Sequence, residues 1–392
     1  MRWVPIGDIV TVTGGGTPRM SEPSFFDGDI PWVTPKDMKQ HTIDRSAIRL
    51  SPTGVANSPA KIVDAGSTLV VVRSGVLKHT LPVAIAARPV ALNQDMKALS
   101  PKREFVTPEY LVRLVKAQES RVLRSVRATT ADNFPIDTLL GIEIPLPPLP
   151  EQRRIAAILD EADALRARAS NQALALDEFD DRMFEELLGS QVAQREWTLE
   201  DVLEDLRYGT SVKSGSTGVP VLRIPNVSGR AMDTLDLKTV DLSPTEVERL
   251  RLIDRDVLFV RSNGNPDVVG RCSAFSSIPC VNRDSASWVF ASYLIRGRLR
   301  EGVEPEAIVA LTRSRHGRRH LRSGAATSAG QYNINTSVLR AMPVFDPSSS
   351  KQREYADFVR STADERQRIR GRASELDELF ASLQHRAFRG EL

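Results

Sequence analysis

Apolar positions follow two rhythms along this chain. Thr68-Leu-Val-Val-Val72 and Asp256-Val-Leu-Phe-Val260 are β-branched runs of strand length. Gly14-Gly-Gly-Thr-Pro18, Ser211–Gly218 and Ser262-Asn-Gly-Asn-Pro266 are turn-formers between such runs. Thr107–Ala117 predicts a short helix capped by Thr107 with Pro108 in its first turn, and Glu304–Leu311 echoes it. These pieces predict an α+β domain in each half. After Glu151 and again after Lys351 the rhythm changes, and Pro and Gly nearly vanish. Steps of seven give Ile155, Ala162, Ala169, Leu176 and Met183, with a second series Ile158, Leu165, Gln172, Phe179 and Glu186. The second copy gives Tyr355, Thr362, Ile369, Leu376 and Leu383, then Phe358, Glu365, Arg372, Leu379 and Arg386. Two imperfect heptad seams, worst near Gly371, predict two long helices packed on one another. About 38 residues at 1.5 Å rise reach roughly 57 Å, so each helix is expected to act as a spacer.

The two rhythms recur in the same order because the chain is written twice. Gln152-Arg153 returns as Gln352-Arg353, 200 positions on, and Asn133, Leu139, Pro147 and Ala156 return at the same offset. Leu176-Asp177-Glu178-Phe179 meets Leu376-Asp377-Glu378-Leu379. Upstream the offset shifts: Ala128-Thr-Thr-Ala131 matches Ala326-Thr-Ser-Ala329, and Val72-Arg73-Ser74 echoes Val260-Arg261-Ser262. Agreement at the ends with divergence in the middle suits a pseudo-two-fold molecule reading a non-palindromic object. Pro145, Pro147, Pro148 and Pro150 fix φ and are expected to hold helix out upstream of Glu151, setting the angle at which the helix leaves its domain. The expected organisation is a domain over 1–150, a helix over 151–190, a domain over 191–350 and a helix over 351–392.

Charge alters this picture by its distribution. The net charge of the 392 residues is only +3, yet Arg313–Arg322 holds five arginines and two histidines. Arg121, Arg124 and Arg127 make a smaller basic group, and the long helical segments carry much of the acid. Hydrophobic residues at 41% allow proper cores, and no apolar run reaches 18 residues, so no membrane span is expected. The first residues lack the pattern of a signal peptide. Two cysteines, Cys272 and Cys280, make no disulfide framework, and a cytoplasmic setting is expected.

Catalytic signatures are missing. Asn265-Pro266-Asp267 lacks the second proline and the aromatic of an amino-methyltransferase loop. Gly14-Gly15-Gly16 has neither dinucleotide-binding spacing nor a helix after it, and no Walker motif occurs. His316 and His320 stand four apart without close-set cysteine pairs, so no metal is expected. No histidine lies near a plausible nucleophile, and the chain is expected not to be an enzyme.

Several stretches together resemble the specificity subunits of type I restriction–modification enzymes. They are Gly15-Gly16-Thr17-Pro18 with Ile30-Pro31-Trp32-Val33, Ala128-Thr129-Thr130, Ile144–Leu149 running into Glu151-Gln152-Arg153-Arg154-Ile155, and the closing Ala387–Leu392. The second copy departs from the pattern with Lys351 for Glu151. The resemblance covers essentially the whole chain. It implies two target-recognition domains, each reading half of a split sequence in double-stranded DNA, joined by two long antiparallel helices as a coiled-coil-like spacer. It also implies two methyltransferase subunits docked on those helices, restriction/translocase subunits in the larger assembly, and S-adenosylmethionine on the partners with no cofactor on this chain. Polar turn residues and arginines reach base edges and phosphates in such proteins. The DNA-binding candidates are Thr17, Arg19, Lys36, Arg73, Lys78 and Arg124 in the first half. In the second half they are Lys213, Arg223, Arg261, Asn263, Asn265, Arg318, Arg319 and Arg322. Partner-binding candidates are Pro147, Pro148, Glu151, Gln152, Arg153, Gln352 and Arg353. The rival reading is a two-domain protein-interaction scaffold without DNA specificity; a third is an enzyme with an unrecognised site. A DNA-binding assay with and without a methyltransferase partner separates them.

Overall fold

A computed structural model of the chain describes residues 2–126, 132–234, 236–275, 287–328 and 330–392. It forms two compact units, residues 1–170 with 371–392, and residues 171–370. The division falls inside the long helices rather than at their ends. Arg127, the Ala128–Ala131 stretch, Ala329 and Cys280 lie outside the described residues.

In the first unit, strands Val10–Gly14, Met96–Pro101, Thr68–Val71, Val83–Ala86 and Thr42–Ile43 lie in that order in one sheet. A second sheet orders Arg49–Leu50, Ile30–Val33, Val90–Leu92 and Ile62–Val63, with Ile30–Val33 and Val90–Leu92 parallel. Strand Arg2–Pro5 pairs with Glu143–Leu146 beside the launch of the long helix. The second unit repeats the plan. Leu203–Tyr208, Leu294–Leu299, Val257–Val260 and Cys272–Ala274 form the matching sheet, and Val219–Leu222 runs parallel to Val289–Phe290. Trp197–Thr198 pairs with Pro343–Val344 where the first unit pairs Arg2–Pro5 with Glu143–Leu146. The strand runs Leu69–Val71 and Val257–Val260 are wholly buried in their cores, as continuous β-branched runs should be. Helix Pro108–Ala117 starts as expected: the Thr107 hydroxyl accepts from the Tyr110 amide.

The first long helix spans Leu149–Phe184, so it begins two residues before the expected start. Pro150 sits in the first turn, where its missing N–H removes no helical bond, so it does not delay the helix. A π-turn, Glu185–Gly189, follows. The second helix is broken. Ser350–Ser361 ends at Thr362, and Ala363–Ala387 continues beyond it. The Thr362 hydroxyl donates to the Phe358 and Val359 carbonyls and competes with the helical ladder. Gly371, the expected weak point, lies inside the continuing helix.

The first heptad series lies on the packed side: Ile155, Ala169 and Tyr355 are buried, and Ala162 and Leu383 pack against the first unit's core. The expected second series does not. Leu165, Phe179 and Leu379 are exposed. The true second series is shifted by one, to Leu159, Arg166, Ala173, Asp180 and Leu187, and Val359, Arg366, Ala373, Phe380 and Ala387. Charged residues occupy three of these places, which hid the series from a hydrophobic reading. In the first unit the Arg166 guanidinium lies 4.5 Å from the Phe380 ring centroid and 3.3 Å from Asp377. In the second, Arg366 grips Asp180 with both terminal nitrogens, and Arg370 reaches Asp177 at 2.9 Å. In each unit residues later in one helix thus meet residues earlier in the other, an antiparallel pairing.

Candidate nucleic-acid interface

One turn organises the candidate face in each unit. At Gly15 a Cβ would lie 2.0 Å from the Asn93 carbonyl oxygen, and at Gly209 it would lie 2.2 Å from that of Phe290. Only glycine tolerates so close an approach. The Gly16 amide donates to Leu92 and the Thr210 amide to Phe290, both at 2.9 Å. After strand Ile30–Val33, the Thr34 amide donates to the Asp37 carboxylate at 2.9 Å. After Val219–Leu222, the Arg223 amide donates to the Asn226 side chain at 2.8 Å. Turns of the same shape therefore surround different side chains.

In the first unit Arg19, Lys36 and Arg124 are exposed, and their side chains make no ion pair or hydrogen bond among the described residues. Such cations remain available to phosphates. The Thr17 hydroxyl donates to Gln94. Arg73 is committed to Asp95, with Nε 2.5 Å from the carboxylate, and Lys78 lies 3.8 Å from Asp132. In the second unit Lys213 is exposed without a side-chain partner among the described residues. Arg223 is bound to the Asp236 carboxylate at 2.9 Å and its carbonyl at 3.0 Å, so it shapes its own loop. Asn263 and Asn265 are candidates for contact with base edges. Their side-chain oxygens instead accept from the Asn265 and Asp267 amides at 2.8 and 2.9 Å, leaving only the amide NH₂ groups to offer. Arg261 stands apart: its guanidinium lies 4.9 Å from the Tyr208 ring centroid.

The basic cluster divides sharply. It forms helix Arg315–Gly324, preceded by Arg313. Arg318 turns inward, donating to the Pro266 carbonyl at 2.7 Å and to that of Val269 at 2.9 Å. Burial lowers its pKa to about 10. This corrects its candidacy as a phosphate contact: a side chain spent on buried carbonyls holds the loop that bears Asn265. Arg313 is likewise inward, bound to the Ser228, Gly229 and Cys272 carbonyls and lowered by burial to about 10. Arg322 pairs with Asp267, whereas Arg319 is exposed with no side-chain partner among the described residues. His320 bonds the Val338 carbonyl at 2.8 Å, and no group of three or more metal-ligating side chains occurs among the described residues. The buried Cys272 thiol is pushed up to about 12 by desolvation.

The partner-binding candidates divide in the same way. Gln152 is fully buried. Its oxygen accepts from the Thr107 amide at 2.9 Å, and its nitrogen donates to the Phe105 and Pro147 carbonyls at 2.8 and 2.9 Å. Gln352 repeats this knot with the Glu304 amide at 3.0 Å and the Gly302 and Pro347 carbonyls. Both glutamines, and the buried Pro147, therefore tie each helix to its own unit and offer no polar atom outward. Pro148, Arg153 and Arg353 are exposed, and Glu151 pairs with Arg154 at 2.7 Å. Sequence reasoning missed Tyr208 and Tyr293, which lie at the candidate face. Tyr208 precedes Gly209 as Gly14 precedes Gly15, and aligning those glycines would have drawn attention to it.

Comparison with known proteins fits this duplicated face. Residues 2–175 match the model of the type I restriction modification DNA specificity domain. Over 168 residues the chain is 37% identical to the type I restriction enzyme EcoR124I/EcoR124II specificity subunit of Escherichia coli, covering 42% of this chain and 41% of that one. Over 280 residues it is 28% identical to the EcoKI specificity subunit of Escherichia coli K12, covering 64% of this chain and 58% of that one. The chain thus spans between about two fifths and three fifths of these relatives' length. The crystal structure of the S subunit of a type I restriction–modification system from M. genitalium superposes with a TM-score of 0.53 at 13% identity, covering 99% of this chain and 96% of that one, which bears on the fold. Among the described residues no helix is long and apolar enough to cross a membrane. Residues 2–175 thus match a type I restriction modification DNA specificity domain, and the chain is similar over part of its length to type I restriction enzyme specificity subunits.

Proposed function

We propose that this chain is the DNA-recognition subunit of a type I restriction–modification complex, each unit reading one half of a split target. The observation that carries this reading is the pair of glycine turns. Gly15 and Gly209 hold backbone frames of one shape, around which the side chains differ: Arg19 and Lys36 in one unit, Lys213 and Arg261 in the other. One frame with two sets of donors suits two different half-sites. The chain itself holds no cofactor and performs no catalysis. Two methyltransferase subunits carry S-adenosylmethionine and dock beside the helix starts, where Pro148, Arg153 and Arg353 are exposed, and restriction/translocase subunits join the larger assembly. The test is an electrophoretic shift of target and scrambled duplexes, with and without the methyltransferase partner, alongside methyl transfer from labelled S-adenosylmethionine. Sequence-selective binding in the complex, with no methylation by this chain alone, supports the reading. Methylation by the chain alone overturns its non-catalytic part, and equal binding to both duplexes overturns recognition.

A further inference from the structure

Resting on the DNA-reading function above, we propose that Arg261 is a base-reading arginine for guanine, set up by Tyr208 and by Tyr293 in place of a carboxylate, whereas Arg73, beside the matching strand end of the first unit, is structural. The two arginines lie one residue apart in register: Val72 matches Arg261, since the Phe134 amide donates to the Val72 carbonyl at 3.2 Å as the Ile334 amide donates to that of Arg261 at 3.0 Å. Arg261 directly follows the inner strand Val257–Val260, and Arg73 stands two residues past the matching strand Thr68–Val71. The Val72 amide donates to the Asp95 carbonyl at 2.9 Å, with the Arg73 amide also near it at 3.2 Å, and the Arg261 amide donates to that of Tyr293 at 2.8 Å. Asp95 and Tyr293 are thus equivalent, and the chemistry parts there. In the first unit the Asp95 carboxylate takes the Arg73 guanidinium at 2.5 Å and also accepts from the side chains of Asn93 at 3.4 Å and Gln94 at 3.1 Å. That turn is closed on itself.

In the second unit the carboxylate is gone. Tyr293 is 61% exposed, and no carboxylate lies within ion-pair distance of Arg261 among the described residues. The guanidinium is held without being neutralised. It lies 4.9 Å from the Tyr208 ring centroid and donates one N–H to the Ser292 carbonyl at 3.3 Å. The Tyr208 hydroxyl in turn accepts from the Thr336 amide at 3.3 Å, which fixes the ring. A ring face restrains an arginine while leaving its charge and most of its donors free. A planar fork held in place on the Tyr208 ring matches the O6 and N7 acceptors of guanine, a geometry that lysine cannot reproduce.

The experiment maps methylated motifs and measures binding against salt for the full chain with its methyltransferase partner. Arg261→Lys keeps the charge and loses the fork. It is expected to relax one guanine position of one half-site, by roughly 5- to 150-fold in discrimination, with the salt slope unchanged. Tyr293→Asp, at an exposed position, places a carboxylate where Asp95 stands in the first unit. It is expected to relax the same position even if Arg261→Lys fails to fold. Arg73→Lys is expected to leave the motif intact. An unchanged motif in folded Arg261→Lys and Tyr293→Asp variants overturns the proposal. So does a uniform loss of affinity on all sequences, which would make Arg261 a phosphate contact. If the wild-type complex shows no sequence preference, the DNA-reading function itself falls.

Discussion

In the first unit Arg113, on helix Pro108–Ala117, reaches Asp160 at 2.9 Å and Asp163 at 2.8 Å on the long helix. In the second unit the direction of charge is reversed: Arg360, at the position equivalent to Asp160, reaches back to Glu304 and to Glu306 at 3.0 Å. Beside these opposed pairs sit the two glutamine knots, which are the same in both units. The difference separates two tasks. Buried backbone groups must be satisfied in one geometry, so Gln152 and Gln352 are held to one role. The ion pairs only need opposite signs, and duplication left them reversed. As a consequence a helix laid on the wrong unit would set Arg113 against Arg360, or Asp160 against Glu304 and Glu306. The charges therefore discriminate between two otherwise similar docking sites.

The largest effect is expected at the knots. Gln152→Ala strands the Thr107 amide and two carbonyls, and should destabilise the first unit by about 2–4 kcal/mol. Gln352→Ala should cost the second unit a similar amount. Hydrogen exchange resolved by segment checks both; a loss in one unit several times that in the other would break the equivalence. Next comes the charge reversal. Asp160→Arg should weaken the first unit, and adding Arg113→Glu should recover part of the loss, since Asp163 then faces the new glutamate. The coupling energy should be about 1–2 kcal/mol, kept modest by the half exposure of Asp160. A double variant no better than the single one would show that the pair does not discriminate.

The expectations that held were those written in backbone chemistry. Strands Thr68–Val71 and Val257–Val260, the Thr107 cap and the repeat at 152 and 352 all leave periodic or stereochemical marks in the sequence. The seam was legible only in part. Arg166, Asp180 and Arg366 sit on its buried side, and a hydrophobic pattern passes over charges that are satisfied across the helix pair. Site residues were the least legible. Whether an arginine faces inward depends on carbonyls far away in sequence: Arg318 is bound to Pro266 and Val269, while Arg319, one residue on, is exposed.

That last contrast gives smaller predictions. Arg318→Gln should lower the stability of the second unit by about 1–2 kcal/mol through lost charge-assisted hydrogen bonds to the Pro266 and Val269 carbonyls. Its thermal unfolding should shift while the salt slope of DNA binding stays the same. Arg319→Gln should do the reverse, leaving unfolding unchanged and flattening the slope by about 0.9, the share of one phosphate contact. Binding titrations over salt check both; interchanged results would contradict the inward and outward assignment.

The central claim is that two units of one construction each read their own half of a target. The most direct measurement exchanges residues 197–344 for the matching segment of a similar specificity subunit with a different target. The motif methylated in cells that also express the methyltransferase partner is then mapped genome-wide. The account predicts that one half of the split motif changes and the other half stays the same. A folded, active chimera whose whole motif changes, or whose motif stays as it was, would contradict it.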